Sequence, residues 1–296
     1  MAAPLPDTIQ LKLDQALAQW RHWDCDPPLG APPLTGAVLG AGHSNHSILV
    51  HGPCDLVVRI DGVDPASNHL NRTVEWRCLQ AGHAAGIAPR PVYFNPQLGC
   101  LVCEYLAPDP VQDPNLPAVG RLLRSIHSLP PRHQRLDIGA RILSLEKQLQ
   151  HRDGPGLARL FSHRKAVARS LEAAQQEQRD LVLCHNDLLQ ANRIASGGRL
   201  WAIDWEYCAM ANPWYDLAVI AAGDALDCAA TAELLEGYLD RTPTPTEYAR
   251  LHRFACVYQY LELLWYLARQ PALLSSDQVA ARLRRLENAL ERAVSP

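Results

Sequence analysis

Apolar residues recur at two different periods along this chain. Ile9, Leu13, Leu17 and Trp20 stand three or four apart, which predicts a first amphipathic helix over residues 9–20. Pro27, Pro28, Pro32 and Pro33 then break the chain into a loop. Short β-like runs follow at 37–39, 47–51 and 56–60. Gly40-Ala41-Gly42-His43-Ser44-Asn45 joins the first two, and Gly52-Pro53-Cys54-Asp55 turns tightly between the second and third. Helix-forming content over 71–82 ends at a glycine, and 92–94 and 101–105 read as two further strands. Five strands with one helix after the third predict a small α+β lobe over residues 1–106.

Pro108, Pro110 and Pro114 mark a linker. Beyond it the pattern over 107–296 turns helical, with helices expected at 118–128, 138–150, 157–178, 229–239, 245–270 and 276–294. One β-like interruption spans 181–203. Within it, two short apolar runs flank Ser196-Gly197-Gly198, a hairpin signal. No internal repeat or low-complexity tract is visible.

The interruption carries the candidate chemistry. Cys184-His185-Asn186-Asp187-Leu188-Leu189-Gln190-Ala191-Asn192 is followed by Asp204-Trp205-Glu206. Apolar strands rarely carry acids unless the acids meet a metal or a substrate. The spacing H-x-D-x4-N-x11-D reads as phosphoryl transfer, with one Asp to accept a hydroxyl proton and an Asn and a later Asp to hold Mg²⁺. An antiparallel hairpin return brings Asn192 and Asp204 near each other, and two oxygen ligands suit Mg²⁺. Glu206, two residues on, could reach the metal or the substrate. The plain alternative is a loop whose Asn and Asp residues cap turns.

Composition narrows the rest. With 296 residues, 48% hydrophobic and 20% charged, the chain has the makeup of an ordinary globular protein large enough for two lobes. A net charge of −3 without a basic run argues against a nucleic-acid partner. No apolar run reaches 18 residues, which predicts no membrane span, and Met1-Ala2-Ala3-Pro4 does not open like a signal peptide; a cytoplasmic protein is expected. Nine scattered cysteines fit reduced thiols, and the lone Cys100-x-x-Cys103 lacks a second ligand pair for zinc.

His185-Asn186-Asp187…Asn192 with Ile203-Asp204-Trp205-Glu206-Tyr207 resembles the aminoglycoside phosphotransferase/choline kinase family of small-molecule kinases, relatives of the protein kinases. Met210-Ala211-Asn212-Pro213-Trp214-Tyr215-Asp216-Leu217-Ala218 is similar to the same region of bacterial choline kinases, and bacterial thiamine kinases share the Asp-Trp-Glu-Tyr element. The resemblance covers nearly the whole chain. It implies a two-lobed protein-kinase-like α+β fold, with a small β-rich N-lobe and a large mostly helical C-lobe, using ATP and Mg²⁺. It implies Asp187 as catalytic base, Asn192 and Asp204 as metal ligands, and His185 and Asp216 as organisers of the loop.

In the N-lobe, Gly42, Ser44 and Asn45 lie where the family places its phosphate loop, and a lone G-x-G is otherwise an ordinary glycine turn. The cation on the third strand is Arg59, which departs from the protein and aminoglycoside kinases and is similar to choline and thiamine kinases. Glu75 is its expected partner, in Asn71-Arg72-x-x-Glu75. Glu104 and Leu106 resemble the hinge that meets adenine.

For the acceptor, Trp205, Tyr207, Trp214 and Tyr215 cluster after the metal Asp, and Tyr258, Tyr260, Trp265 and Tyr266 cluster late in the chain with Glu262. Aromatic faces with a carboxylate suit a quaternary ammonium, each face contributing about 0.5–2 kcal/mol. Glu206, Tyr207, Trp214, Glu262 and Trp265 are therefore the substrate candidates, although aromatics at helical spacing usually pack in a core. Choline is the first expected acceptor. Thiamine, or a sugar or aminoglycoside, is the alternative within the family; a catalytically inactive ligand-binding member is the alternative outside kinase chemistry.

Overall fold

The computed structural model describes residues 5–41, 45–65, 70–112, 115–154, 156–177, 180–269 and 275–294. Gly42 and Ser44 fall outside them, as do Gln178 and Gln270. The chain divides into two compact units, Met1–Asp113 with Arg193–Cys208, and Pro114–Asn192 with Ala209–Pro296.

The first unit is built on an antiparallel sheet of β1 (Leu34–Ala41), β2 (Asn45–His51), β3 (Leu56–Asp61), β4 (Pro91–Asn95) and β5 (Cys100–Glu104), in the order β1-β2-β3-β5-β4. β1 exceeds the expected 37–39 because register shifts at Thr35/Val38 and Val38/Gly40 break its alternation. Side chains alternate across β3. Leu56, Val58 and Ile60 enter a core with Ile9, Leu13 and Ala16 of α1 (Asp7–Ala18). Arg59 and Asp61 therefore point to the other face, where α2 (Arg72–Ala84) supplies their partners. Asn71 caps α2 by accepting from the N–H groups of Thr73 and Val74, both at 3.1 Å.

The hairpin signal forms as β7 (Arg193–Ser196) and β8 (Arg199–Ala202), and Ser196 pairs with Arg199 across a two-residue turn. Gly197 and Gly198 both take positive φ, 61° and 71°, which is why a Gly-Gly pair stands there. Contacts return 193–208 to the first unit, unlike a single cut after residue 106. The N–H groups of Gly197 and Gly198 donate to the Asp109 carboxylate, each at 2.9 Å. The Ala202 N–H donates to the Ile87 carbonyl at 2.8 Å. Trp205 is buried against Gly82 of α2, where a methyl would stand 2.8 Å from its ring.

The second unit contains α3 (Leu116–His127), α4 (Ile138–Leu149), α5 (Leu157–Ser162), α6 (Arg164–Glu177), α7 (Pro213–Gly223), α8 (Cys228–Leu239), α9 (Pro245–Arg269) and α10 (Ser276–Val294). β6 (Val182–Cys184) pairs antiparallel with β9 (Ala209–Ala211). The expected helix over 157–178 breaks at His163, whose N–H closes a tight turn onto Leu160. α7 was not expected. It is buried on every side from Pro213 to Ala221, so its sequence carries no amphipathic period. Among the described residues no helix is long and apolar enough to cross a membrane.

α3 and α8 meet backbone to backbone at a glycine pair. A methyl on Gly120 would stand 2.5 Å from the Tyr238 nitrogen, and one on Gly237 would stand 2.5 Å from Pro117 Cα. No flexible side chain is present there to yield. Gly120→Ala is expected to lower stability by about 1–3 kcal/mol, read as a fall in the urea midpoint at constant m-value.

Candidate active site

In the first unit, six ionisable side chains and one amide form a connected polar network. Arg59 is paired through one guanidinium nitrogen with Glu75, and the same nitrogen donates to Asp204 Oδ1 at 3.0 Å. Arg72 spreads all its donors over four partners. Its Nε and Nη2 grip Asp61 at 3.1 and 2.7 Å, and its Nη1 reaches Glu75 at 2.8 Å and Glu206 at 2.9 Å. Its Nη2 also meets Asn45 Oδ1 at 3.0 Å, and the Asn45 amide donates to Glu206 at 2.8 Å. The planar five-donor fork of arginine permits this, and a lysine could not reproduce it.

Two guanidiniums face four carboxylates, Asp61, Glu75, Asp204 and Glu206, so the network carries a formal excess of two negative charges. That excess opens at one place. The Asp204 side chain is 32% exposed, against 5% or less for Asp61, Glu75 and Glu206. Burial opposes ionisation of Glu75, yet Arg59 and Arg72 hold its carboxyl below the ordinary range. Burial and the adjacent Glu206 instead push Asp204 up to about 7, with Arg59 pulling against them. Asp204 also takes positive φ, 58°, a conformation that costs a non-glycine residue energy and is common at functional positions. An oxygen donor short of positive charge, at the open edge of a buried acidic excess, fits a divalent cation.

Two expectations change here. Asn45 and Glu206 were assigned to phosphate and to substrate, but both are buried and bonded to Arg72 and to each other. They brace the network from inside. At the β5 end, the Glu104 N–H is spent on the Arg90 carbonyl and the Tyr105 N–H on Asp55, so these donors are not offered to a base. Glu104 is exposed, and Leu106 is buried. Cys100 and Cys103 are free thiols, each pushed by burial to about 12, which makes them protonated packing groups.

In the second unit, the loop after β6 hangs on one carboxylate. Asp216, in the first turn of α7, is fully buried and accepts the N–H of His185 at 2.7 Å and of Asn186 at 2.8 Å. Asn186 holds φ at 63°, tolerable for an asparagine. His127 joins through Nε2, 3.2 Å from Asp216, and its Nδ1 lies 2.9 Å from the Tyr238 hydroxyl. His127 and Tyr238 escaped the sequence reading because nothing in their spacing links them to this loop. His127, Cys184 and Asp216 have ligating atoms within 4.8 Å of one another. Burial, with Asp216 beside it, holds the Cys184 thiol protonated, and Asp216 is committed to the backbone; the cluster is a scaffold.

Asp187 follows on the held loop and is half-buried. The Asn192 amide donates to the Asp187 carbonyl at 2.7 Å and to its Oδ2 at 2.9 Å. That assignment turns the nitrogen toward Asp187 and leaves the side-chain carbonyl as the oxygen ligand atom of Asn192. Tyr215 and Tyr258 meet edge to face with centroids 6.5 Å apart. Burial raises both phenols, and each lies within electrostatic range of both Asp187 and Glu262. Trp265 and Tyr266 stand beside Glu262 on α9, half-buried. Trp214 is buried in the α7 core, as aromatics at the start of an enclosed helix are, and Tyr207 is half-buried in the first unit.

Comparison with known proteins adds a family. The sequence pattern of the phosphotransferase enzyme family matches residues 35–254. The chain belongs to that family. Protein LicA of Haemophilus influenzae is 33% identical to this phosphotransferase over 98 residues, or 31% of this chain and 29% of LicA. The chain thus matches less than a third of that relative's length. Among solved structures, a choline/ethanolamine kinase family protein from Mesorhizobium loti superposes with a TM-score of 0.73, at 22% identity over 95% of both chains. LicA in complex with AMP superposes with a TM-score of 0.76, at 19% identity over 98% of this chain and 100% of that one. The phosphotransferase therefore has the fold of these kinases.

Two outcomes follow from these networks. Asp216→Ala strands two buried N–H groups and is expected to cost about 2–4 kcal/mol of stability, measured by urea unfolding. Asp204 has a folded value of about 7 against an ordinary 3.8, so the fold binds its proton more tightly than the unfolded chain does. Its contribution to stability therefore falls as pH rises through that window. With divalent ions removed by EDTA, Asp204→Asn is expected to be more stable than wild type at pH 8. That advantage should shrink as pH falls and be gone near pH 4, as followed by urea midpoints across the range.

Proposed function

We propose that this phosphotransferase moves the γ-phosphoryl group of ATP to the primary hydroxyl of a small cationic alcohol, with choline the first candidate. The observation that carries the acceptor class is the shared neighbourhood of Asp187 and Glu262. Tyr215 and Tyr258 lie within electrostatic range of both carboxylates, and Trp265 and Tyr266 add aromatic faces next to Glu262. A cation seated on Glu262 and an aromatic face is proposed to turn its hydroxyl end toward Asp187. The partial likeness to LicA and the fold shared with a choline/ethanolamine kinase family protein support the same reading.

In this mechanism Asp187 accepts the hydroxyl proton, and Asn192 holds its carboxylate in one orientation. Asp216 keeps the His185–Asp187 backbone in place, so the base does not have to be ordered at each turnover. Asn192, through its carbonyl, and Asp204 are the proposed ligands of Mg²⁺. The acidic excess around Asp204 supports that choice. When bound, Mg²⁺ neutralises and orients the nucleotide phosphates. Arg59 remains charged despite burial because Glu75 and Asp204 outweigh the loss of water, and it is proposed to steady the phosphates. Leu106, just past the end of β5, is proposed to meet the base. The AMP bound to a LicA of the same fold supports an adenine nucleotide.

A screen of choline, ethanolamine, thiamine, hexosamines and kanamycin with labelled ATP and Mg²⁺ tests the proposal. Choline is expected to show the highest kcat/KM, and turnover confined to kanamycin or a hexosamine would refute the cationic-alcohol reading. Asp187→Asn is expected to lower kcat by at least about 10² with an unchanged circular dichroism spectrum. EDTA should abolish turnover, and added Mg²⁺ should restore it.

A further inference from the structure

An internal cation already occupies Glu262. Arg282 on α10 places Nη1 2.7 Å from Glu262 Oε1 and its Cζ 4.7 Å from the centre of the Tyr266 ring. Tyr266 meets Trp265 edge to face, with centroids 5.2 Å apart. A carboxylate with an aromatic face is the set of contacts that holds a quaternary ammonium. Burial pushes the Glu262 carboxyl up, and Arg282, helped by Arg285, pulls it back toward the charged form. The two side chains are 20% and 26% exposed, so the guanidinium has a route to water and the pair is not sealed.

We infer that Arg282 is a place-holder for the acceptor's cationic head, and that it sets acceptor affinity by competing for Glu262 and the Tyr266 face. This rests on the reading of the acceptor as a cationic alcohol. A cation approaching Glu262 inherits the contacts of Arg282 only after the guanidinium swings outward. The apparent affinity is then scaled down by the fraction of molecules in which Arg282 has left Glu262. A neutral alcohol of the same shape makes no ionic contact with Glu262, so it does not compete with Arg282 for that carboxylate. The residue thus lowers affinity for a cationic acceptor by occupying its partner.

Arg282→Gln removes the bonded competitor and leaves Glu262 only the longer-range pull of Arg285. We expect choline to bind this variant three- to tenfold more tightly by isothermal titration, with the change in turnover falling on KM rather than kcat. KM for the neutral isostere 3,3-dimethylbutan-1-ol should not follow. Arg282→Lys, which keeps the charge and loses the planar stack on Tyr266, should lie between wild type and Arg282→Gln. Equal or weaker choline binding by Arg282→Gln, in protein whose circular dichroism matches wild type, would overturn the inference, as would an equal gain for the neutral isostere. Tighter choline binding by the variant in a protein that does not phosphorylate choline would uphold the place-holder and overturn only the proposed acceptor.

Discussion

The first unit depends on neutralising charge that has been taken out of water. Arg59 and Arg72 are buried, and a buried guanidinium without partners would cost several kcal/mol. Each is instead held by carboxylates from separate elements: β3, α2 and the segment after the hairpin. Arg72 is the hub, because its fork alone reaches Asp61, Glu75 and Glu206 together. Arg59 inherits its position from Glu75, which Arg72 also grips. The surplus negative charge then has one outlet, at Asp204. The same arrangement that ties the fold together therefore prepares an oxygen donor for a cation.

The second unit solves a different problem, that of holding an irregular loop. Backbone N–H groups in a loop have no ladder to satisfy them, and inside a core each must find a partner. Asp216 accepts two of them and is steadied by His127, which Tyr238 orients. α7 can present Asp216 there because it is enclosed on all sides, and a buried helix N-terminus favours a carboxylate in its first turn. Asp187 is displayed by this framework. Its carboxylate accepts from the Asn192 amide and carries no loop N–H of His185 or Asn186.

The parts of the molecule legible in the sequence were those governed by local rules. Gly197-Gly198 announced a hairpin because few other pairs tolerate positive φ twice. The third strand carried Arg59, and helix-forming content from residue 71 to a closing glycine marked α2. What stayed hidden was decided by distant contacts. α7 has no apolar stripe because it has no solvent side. Arg72 with Asp61, and Asp216 with His127, are partners across separations that no spacing encodes. Glu206 and Asn45 read as site residues because they are polar beside a motif, and only their burial against Arg72 shows them to be braces. The split at His163 depends on one tight turn within a run whose composition is helical throughout.

The first unit is made of two pieces of chain, with the whole of Pro114–Asn192 synthesised between them. When residue 113 leaves the ribosome, Arg59 and Arg72 have only Asn45, Asp61 and Glu75 to meet, and Gly82 has no indole to cover it. Asp204, Trp205 and Glu206 arrive much later. The unit therefore cannot complete its interior in the order in which it is made, although N-terminal regions generally fold first during synthesis. Its last step waits for a hairpin encoded far downstream. Until then the face that carries Arg59 lacks the carboxylates and the indole that complete it.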